Sequence, residues 1–549
     1  MTEALPSRRT LFLLLALFAA AWFGTLEYRK LVKPDEGRYA EIPREMVASG
    51  DWLTPRLNGI KYFEKPALQY WATAAAYAAF GEHHWTARLW PALTGFLGIL
   101  AVWLAGLRLY GPQAALYGAA ALGGSLLWGL IGHVNTLDMG VSCFLSLAIF
   151  GLVLAQRDGA TARENRDGML AACGALGLAV LSKGLIGLVL PGAALVLYTL
   201  WQRDWTLWRR LHFGKGLALL LAITLPWFVA VSLANPEFFH FFFIHEHFER
   251  FLTKAHGRYQ PMWYFVPILA AGLLPWTLVF IEGLAGPLRR ENAARFRPDR
   301  FLLVWIAVVF GFFSVSSSKL VAYILPLFPA AALLVGRALA ELPCPRLRRH
   351  AAVLMPLTFA WIVLVVLLVP KLASPEVPLA LYDAYVPWLA AAGAMLAVAA
   401  GAAFVLFRRE AKTAGVLALS AGGLLFAQLA LCGHDSLAPA NSAHDIVAAI
   451  RSEHRADIPF YSVNTYDQTL QPYLKRTTTM VGYKDELEFG IAQEPEKFIP
   501  DLAAFERVWN NQPAALALMD AETYAQLAAH ALPMRVIARD TRRIIVRKP

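Results

Sequence analysis

The chain has 549 residues, of which 58% are hydrophobic and only 16% are charged, and its mean hydropathy is +0.48. A soluble globular chain carries about 25% charged residues, so the composition excludes an ordinary soluble protein. The net charge is +11, but the basic residues are scattered over short loops, which argues against nucleic-acid binding. The four cysteines are not paired in sequence and predict neither a disulfide framework nor a zinc site.

Long, continuous apolar runs predict a polytopic α-helical membrane protein, because a span needs about 20 mostly apolar residues. Residues 11–25 after Arg8 and Arg9 could instead be a signal peptide. We favour a first span, because many spans follow. Segment 67–80 is shorter than a span and predicts an interfacial helix. The thirteen predicted spans are 10–26, 86–109, 113–131, 139–156, 168–181, 185–201, 216–233, 261–283, 301–315, 320–340, 351–370, 387–407 and 413–432.

The distribution of arginine and lysine predicts the orientation. If the N-terminus is cytoplasmic, every loop that should lie inside contains basic residues, as the positive-inside rule requires. An odd number of spans then places the first loop, 27–85, and the tail outside. We therefore expect a multi-pass protein with a membrane domain at 1–432 and an outer domain at 433–549.

The tail predicts a small C-terminal α/β domain, because helix and strand patterns alternate in it. The expected helices are 442–455, 465–473, a helix from 500 through 509, and 521–530. The expected strands are 458–463, 477–481, 514–519, 534–538 and 543–547. The tail contains no nucleotide-binding glycine fingerprint, so we expect a lid or scaffold without catalytic residues.

The stretch 33–71 of the first loop is dense in charged and aromatic residues and follows directly on the first apolar segment. Such a loop at a membrane surface is suited to chemistry on a polar lipid head group. Asp35 and Glu36 stand there in a Pro-Asp-Glu turn. Either carboxylate could orient or deprotonate an acceptor, or bind a metal. The alternative is a pair of solvated acids at a helix end.

Two further candidates lie at predicted outer ends of apolar segments. Lys65 directly precedes the interfacial helix and could bind a lipid phosphate, although lysines also snorkel there. Asp138 begins a predicted span, where an acidic residue is costly and is by default a functional candidate. Its alternative role is a helix N-cap. Lys183 occupies a similar outer position.

The later outer loops add more ionisable groups. His245 lies in a His-Glu-His run and could ligate a divalent metal together with Glu64, although the spacing matches no standard zinc pattern. Arg250 is available for phosphate. Lys319 and Tyr323 are expected one turn apart on one helix face, where they could hold a phosphate head group. An interfacial lysine and an aromatic-belt tyrosine are the alternative.

The run PDEGRYAEIPREMVASGDWLTPRLNGIKYFEKPALQYW, at 34–71, resembles the first outer loop of bacterial glycosyltransferases of the GT-C superfamily. It is most similar to the 4-amino-4-deoxy-L-arabinose:lipid A transferases, relatives of the protein O-mannosyltransferases. The later runs SSSKLVAYILPLFP, LSKGLIGLVLP and IGHVNTLDMG resemble the same family. The C-terminal domain matches the family only in position and size.

The resemblance implies a GT-C fold of about thirteen spans in the bacterial inner membrane, with the first loop and the tail domain in the periplasm. It also implies a donor in which the aminosugar is linked to undecaprenyl phosphate. The acceptor would be a phosphate of lipid A in the membrane, transfer would invert the anomeric carbon, and no organic cofactor would be needed. The implied catalytic residues are Asp35, Asp138 and Glu36. The implied donor-phosphate ligands are Lys65, Arg250, Tyr323 and Lys319. The implied sugar and acceptor pocket contains Tyr39, Tyr62, Arg38 and Lys183, and the candidate metal ligands are Glu64 and His245.

Two alternatives remain open at this point. A related transferase could move another polyprenyl-phosphate-linked sugar to protein or glycan. A lipid flippase or transporter is the second alternative, although such proteins more often show internal repeats and ionisable residues near mid-span. If the chain is a transferase, we expect Asp35, Lys65, Asp138 and Arg250 to share one cavity.

Overall fold

The computed structural model describes residues 7–249, 259–289 and 295–549, without the side chains of 245–249 and 289. Its apolar part is helical. The α-helices of this part are Arg8–Phe23 (α1), Asp35–Ser49 (α2), Leu68–Phe80 (α3), His84–Leu109 (α4), Pro112–Gly123 (α5), Leu126–Ile131 (α6), Asp138–Gln156 (α7), Ala162–Lys183 (α8), Ile186–Gln202 (α9), Phe213–Ala234 (α10), Phe265–Gly272 (α11), Thr277–Gly283 (α12), Ala285–Arg289 (α13), Pro298–Val315 (α14), Phe328–Glu341 (α15), Cys344–Leu368 (α16), Leu379–Arg408 (α17) and Lys412–His434 (α18). A π-helix covers His240–Glu249, and 3-10 helices cover Trp205–Arg210, Met262–Tyr264, Val321–Leu327, Val369–Leu372 and Asp435–Leu437.

A helix lies at each of the thirteen predicted spans. Within the described residues, eight helical segments are long and apolar enough to cross a membrane, or nine if one bent pair counts as a single span. The multi-pass helical architecture is therefore confirmed. The helix at the span predicted for 261–283 is broken, because the chain bends by 110° between Met262–Gly272 and Thr277–Leu288. Pro275 lies at this break, and proline cannot continue a helix ladder.

The first loop, predicted only as a charge-dense loop, contains regular secondary structure. Its Pro-Asp-Glu turn is the start of helix α2, whose acidic first turn complements the helix dipole. Gly50, at a φ of 75°, ends α2 in the left-handed conformation that glycine tolerates. A short hairpin follows, in which Arg56–Leu57 (β1) pairs with Ile60–Lys61 (β2). Helix α3 then covers the segment for which the sequence predicted an interfacial helix.

The tail folds into an α/β unit, hereafter the sheet unit, built on six strands in the order β5-β4-β3-β6-β8-β7. Strands β5, β4, β3 and β6 are parallel neighbours, and β8 and β7 are antiparallel additions. The strands are Phe460–Val463 (β3), Thr479–Val481 (β4), Phe498–Ile499 (β5), Leu516–Met519 (β6), Arg535–Arg539 (β7) and Ile544–Arg547 (β8). The helices are Ala438–Asn441 (α19), His444–Ala449 (α20), Leu470–Leu474 (α21), Glu488–Gln493 (α22), Leu502–Asn511 (α23) and Ala521–Ala529 (α24), with 3-10 turns at Asp485–Leu487 and Pro495–Lys497.

The predicted alternation of helices and strands is confirmed in kind, but several bounds differ. The helix predicted at 442–455 covers only His444–Ala449, and the one predicted at 465–473 begins at Leu470. Helix α22 and strand β5 were not predicted. Both are short, and short elements carry too few residues for a periodic pattern to stand out.

The sheet unit packs directly on the first loop. A Cβ atom added to Gly37 of α2 would lie 2.5 Å from the backbone oxygen of Gln468, so only glycine allows this approach. The amide of Asn58, in the β1–β2 turn, donates to the backbone oxygen of Thr478 at 2.8 Å. The two parts also share one apolar cluster, which includes Tyr39 from α2 and Tyr466 from the sheet unit. The sheet unit therefore fixes the position of α2, which holds the first candidate residues.

Candidate active site

The neighbouring carboxylates Asp35 and Glu36 have opposite environments. The Asp35 side chain keeps 39% of its surface exposed, and Arg38 donates to it at 3.2 Å. Glu36 is 1% exposed. Because successive residues of an α-helix point about 100° apart, the two side chains leave α2 in different directions.

Glu36 is held between two guanidinium groups. Arg29 donates two hydrogen bonds to it, at 2.7 and 2.8 Å, and Arg88 of α4 donates two more, at 2.8 and 2.9 Å. Burial alone would raise the pKa of Glu36, but the two arginines lower it well below its usual range. We call this group the Glu36 clamp. Its full set of partners favours a positioning role for Glu36 over the catalytic role expected from sequence.

The clamp reaches the second candidate carboxylate through a short loop. The backbone N–H of Asn135 donates to Glu36 at 3.2 Å, and Gln69 of α3 donates to the Asn135 side chain at 3.0 Å. Helix α7 begins three residues later, at Asp138. The clamp thus ties α2, α3 and α4 to the start of α7 and sets where Asp138 stands.

Asp138 forms an ion pair with Lys183, the last residue of α8. Both side chains are mostly buried, at 14% and 17% exposure. The Lys183 ammonium also lies 4.8 Å from the ring centroid of Tyr323, within cation–π range. The charge of Asp35 acts on Lys183 as well. Asp138, Lys183 and Tyr323 therefore converge from α7, α8 and the Val321–Leu327 helix, and the cavity expected for Asp35, Lys65, Asp138 and Arg250 stays a prediction.

A second set of residues adjoins Asp35. Arg38 lies 5.7 Å from the ring of Tyr39 and 6.0 Å from that of Tyr62. It also forms a 2.6 Å ion pair with Glu486 of the sheet unit. Burial raises the pKa of Glu486 even though Arg38 opposes this. Glu486 was not predicted from sequence, because no local pattern indicates that the tail contacts the first loop.

Two buried tyrosines lie close to Arg38 and Glu64. Tyr62 and Tyr70 are buried, and their hydroxyls have no hydrogen-bond partner within the described residues. Burial raises the pKa of both phenols, and the charge of Glu64 raises it further. Because a buried polar group without a partner is costly, these hydroxyls mark a place where a ligand or water can bind. Tyr70 was missed at the sequence level because it reads as one apolar position of α3.

Lys65 lies beside this set. Its ammonium donates to the backbone oxygen of Glu64 at 2.8 Å and stands 3.7 Å from the Glu64 carboxylate. Both side chains are about four-fifths buried. The predicted donor-phosphate ligand therefore lies three residues after Tyr62, and Glu64 is close to both.

Lys319 stands apart from the predicted arrangement. It is 4% exposed, and its ammonium donates to the backbone oxygens of Gln260 and Ser316 at 2.9 and 2.5 Å. The expected pairing of Lys319 with Tyr323 on one α-helical face is wrong. The 3-10 helix begins only after Lys319 and turns every three residues, so Tyr323 faces Lys183 instead.

Two predicted residues cannot be placed. Arg250 lies outside the described residues, and the His245 side chain is not described. Among the described side chains, no group of three or more His, Cys, Asp or Glu is arranged to hold a metal ion. The metal site at Glu64 and His245 therefore stays a prediction.

Comparison with solved structures defines the class first. The apo oligosaccharyltransferase of Archaeoglobus fulgidus shares only 12% identity, but superimposes over 94% of this chain and 71% of its own with a TM-score of 0.54. The fold is therefore shared with this oligosaccharyltransferase. Two family models match the chain: one described as dolichyl-phosphate-mannose-protein mannosyltransferase at residues 7–242, and one described as the aminoarabinose transferase C-terminal domain at residues 446–548.

The particular family follows from a full-length match. The crystal structure of ArnT from Cupriavidus metallidurans bound to undecaprenyl phosphate is 39% identical, covers 99% of both chains and has a TM-score of 0.95. This chain belongs to the family of 4-amino-4-deoxy-L-arabinose transferases.

Named relatives in other bacteria agree. The undecaprenyl phosphate-alpha-4-amino-4-deoxy-L-arabinose arabinosyl transferase 1 of Sodalis glossinidius is 37% identical over 59% of this chain. The corresponding transferase of Pseudomonas aeruginosa is 34% identical over 61% of this chain. The aligned part spans 58% and 60% of these relatives' own lengths, which is less than two thirds.

Proposed function

We propose that this chain transfers 4-amino-4-deoxy-L-arabinose from undecaprenyl phosphate to a phosphate group of lipid A, with inversion at the anomeric carbon. The observation that carries the proposal is the convergence of Asp35, Asp138 and Lys183 from three helices, beside buried tyrosines and Lys65. The family relationship supplies the identity of the sugar, the carrier and the acceptor.

The proposed chemistry follows from the charges. The carrier phosphate leaves with its negative charge, and preorganised cations stabilise charge that develops in a transition state. Lys65 and Lys183 are the described cations suited to this role, and Arg250 is expected to join them. Asp138 keeps Lys183 in place through their ion pair.

Asp35 acts as an orienting group in this proposal. An acceptor phosphate has a second pKa of about 6, so its oxygen is already largely ionised near neutral pH. A strong general base is then unnecessary. Asp35, with its exposed carboxylate, instead orients the acceptor or the amine of the donor sugar. Arg38, Tyr39 and Tyr62 would form the wall of the sugar pocket.

We also propose a topology of thirteen spans with the first loop and the sheet unit in the periplasm. Helices at all thirteen predicted positions and basic residues in every predicted inner loop support it. A Ser452→Cys variant, labelled in intact cells with a membrane-impermeant thiol reagent, tests whether the exposed position 452 of the tail lies in the periplasm. Labelling only after lysis would contradict it.

The test of the activity is transfer by the purified protein in proteoliposomes. With undecaprenyl-phosphate aminoarabinose and lipid A present, we expect the mass of lipid A to rise by one aminopentose. Since a protein mannosyltransferase model matches residues 7–242, a parallel reaction offers a peptide rich in Ser and Thr. Product on the peptide alone would favour the protein-modifying alternative. Movement of donor lipid without product would favour a flippase. A chelator added to the same reaction tests the predicted metal, and undiminished turnover would reject it.

A further inference from the structure

A cavity lies on the other side of α2 from Asp35. It has a volume of about 320 Å³ and is lined by the first loop on one side and the sheet unit on the other. Ala40 and Arg44 of α2 line it. These residues follow Glu36 at intervals of four, so they lie on the helix face away from Asp35. The cavity is therefore separate from the candidate active site, and it is of the size of small-molecule pockets.

Basic groups dominate its lining. The two arginines Arg44 and Arg451 and the lysine Lys475 contribute three permanent positive charges, against the carboxylates of Glu27 and Glu82. Four histidines also line it: His83, His84, His444 and His454. An imidazole can donate a hydrogen bond in its neutral form and carries positive charge when protonated. The lining is therefore rich in donors for an anion.

Several of these groups are already engaged. Glu41 accepts two 2.6 Å hydrogen bonds from Arg44, and Lys475 stands 3.5 Å from Glu82. His84 is fixed between the backbone oxygen of Glu27, at 3.3 Å, and the hydroxyl of Tyr473, at 3.1 Å. These groups form the walls of the cavity.

Two groups are not engaged in this way. Arg451 is exposed at the cavity rim and has no side-chain hydrogen bond or ion pair within the described residues. The Nε2 atom of His454, three residues further on, is buried and has no hydrogen-bond partner there. A cavity that presents both a buried nitrogen without a partner and a guanidinium without an ion pair is the arrangement that an anionic ligand would complete.

We propose that this cavity binds a phosphate group, with Arg451 and His454 as its principal ligands. Guanidinium is the side-chain group best matched to phosphate geometry. The phosphate can be that of a glycolipid head group or a free phosphoanion, since both present the same oxygens. This site does not depend on the proposed transfer reaction, because none of its residues belongs to the Asp35 cluster.

The test detects which peptides of the protein are protected when a phosphate ligand binds. Hydrogen exchange followed by mass spectrometry is run on the full-length protein in nanodiscs, with and without inorganic phosphate. In a second arm the nanodiscs contain phosphatidylcholine with or without lipid A. We expect the ligand to slow exchange in the peptides that contain residues 447–454 and 472–475. Protection by inorganic phosphate identifies a general phosphoanion site, and protection by lipid A alone identifies a head-group site.

The variants compare two arginines in one short segment. Arg451→Gln removes the proposed ligand. Arg455→Gln removes the same charge from a residue that pairs with Asp457 at 3.2 Å and does not line the cavity. Loss of a charge-assisted hydrogen bond should weaken binding about tenfold in Arg451→Gln, with little change in Arg455→Gln. His454→Phe, which keeps an aromatic ring but removes both ring nitrogens, should also weaken binding.

Equal protection in Arg451→Gln and Arg455→Gln would overturn the proposal, as would no protection in either arm with the unmodified protein. The Asp35→Asn variant tests whether phosphate binding in this cavity is independent of the proposed transferase reaction. It should keep the protection at residues 447–454 even where transfer is lost. Loss of that protection in Asp35→Asn would show that the ligand acts from the candidate active site, and would also overturn the proposal.

Discussion

Two adjacent carboxylates on one helix have different surroundings in this protein. Glu36 is buried in the clamp, where Arg29 and Arg88 satisfy both of its oxygens. Asp35 keeps 39% of its side chain exposed, forms an ion pair with Arg38 and also acts electrostatically on Lys183. A charged residue whose hydrogen bonds are all made by protein groups, as for Glu36, therefore has a structural role. A charged residue is a candidate for chemistry when it is left accessible to a ligand.

The largest effect is expected where the accessible carboxylate is neutralised. Asp35→Asn should lower the turnover of sugar transfer by a factor of about 10², because loss of an orienting group misplaces the reacting atoms. Thermal unfolding of the variant in detergent should stay close to that of the unmodified protein. Glu488→Gln removes an exposed carboxylate near Glu486 and serves as the control, with unchanged turnover. A stable Asp35→Asn protein with full turnover would remove Asp35 from the site.

The opposite pattern is expected for Glu36. Glu36→Gln leaves the Arg29 and Arg88 guanidinium groups buried without a counter-charge, which costs about 3–5 kcal/mol in the free energy of unfolding. We expect a large fall in the thermal midpoint, measured by scanning fluorimetry in detergent. The exposed Glu496→Gln should stay within about 0.5 kcal/mol of the unmodified protein. If Glu36→Gln were stable but inactive, the difference drawn between the two carboxylates would disappear.

The parts of the candidate site that could be predicted from sequence are those marked by a local pattern. Contacts between residues far apart in the chain could not be predicted. Asp35, Asp138 and Lys183 were found because each is a charged residue at the end of an apolar segment, which is a local signal. The Glu36 clamp was not found, because Arg88 is 52 residues away and nothing in the sequence pairs it with Glu36.

The contribution of the sheet unit was also beyond the sequence. The tail pattern predicted an α/β domain, but not that Glu486 meets Arg38 or that Gly37 must lack a side chain for the two parts to pack. The misplaced pair of Lys319 and Tyr323 has another cause. An α-helical period was assumed for a segment that forms a 3-10 helix.

A double-mutant cycle on the Asp138–Lys183 pair sharpens the comparison, because this pair lies between the two extremes. Its side chains are 14% and 17% exposed, less accessible than Asp35 but less enclosed than Glu36. Asp138→Asn and Lys183→Met should each lower stability and turnover. The double variant should recover stability by a coupling of about 0.5–3 kcal/mol, as expected for residues in direct contact. Additive losses of stability would show that the two groups do not act as a pair.

The smallest expected effect concerns a third buried carboxylate, Asp467, which should behave like Glu36 and not like Asp35. It is 3% exposed and accepts a 2.9 Å hydrogen bond from Arg543, and Arg542 contacts it too. Burial opposes its charge, but the two arginines lower the pKa of Asp467 below its usual range. Asp467→Asn should cost about 2 kcal/mol near neutral pH, because it leaves buried donors poorly satisfied.

The pH dependence of that cost follows from the sign of the shift. An unfolded aspartate has a pKa of about 3.9, so the stabilisation is fully present above that pH. It is lost as the pH falls through the lower pKa of the folded state. The difference in thermal midpoint between Asp467→Asn and the unmodified protein should therefore be constant from neutral pH down to about 5 and shrink below about 4. Asp457→Asn, which removes an ion pair whose side chains are 66–70% exposed, should show a small difference at every pH. If the difference in thermal midpoint between Asp467→Asn and the unmodified protein increased at low pH, the arginines would not hold Asp467 in its charged form. Asp467 would then not resemble Glu36.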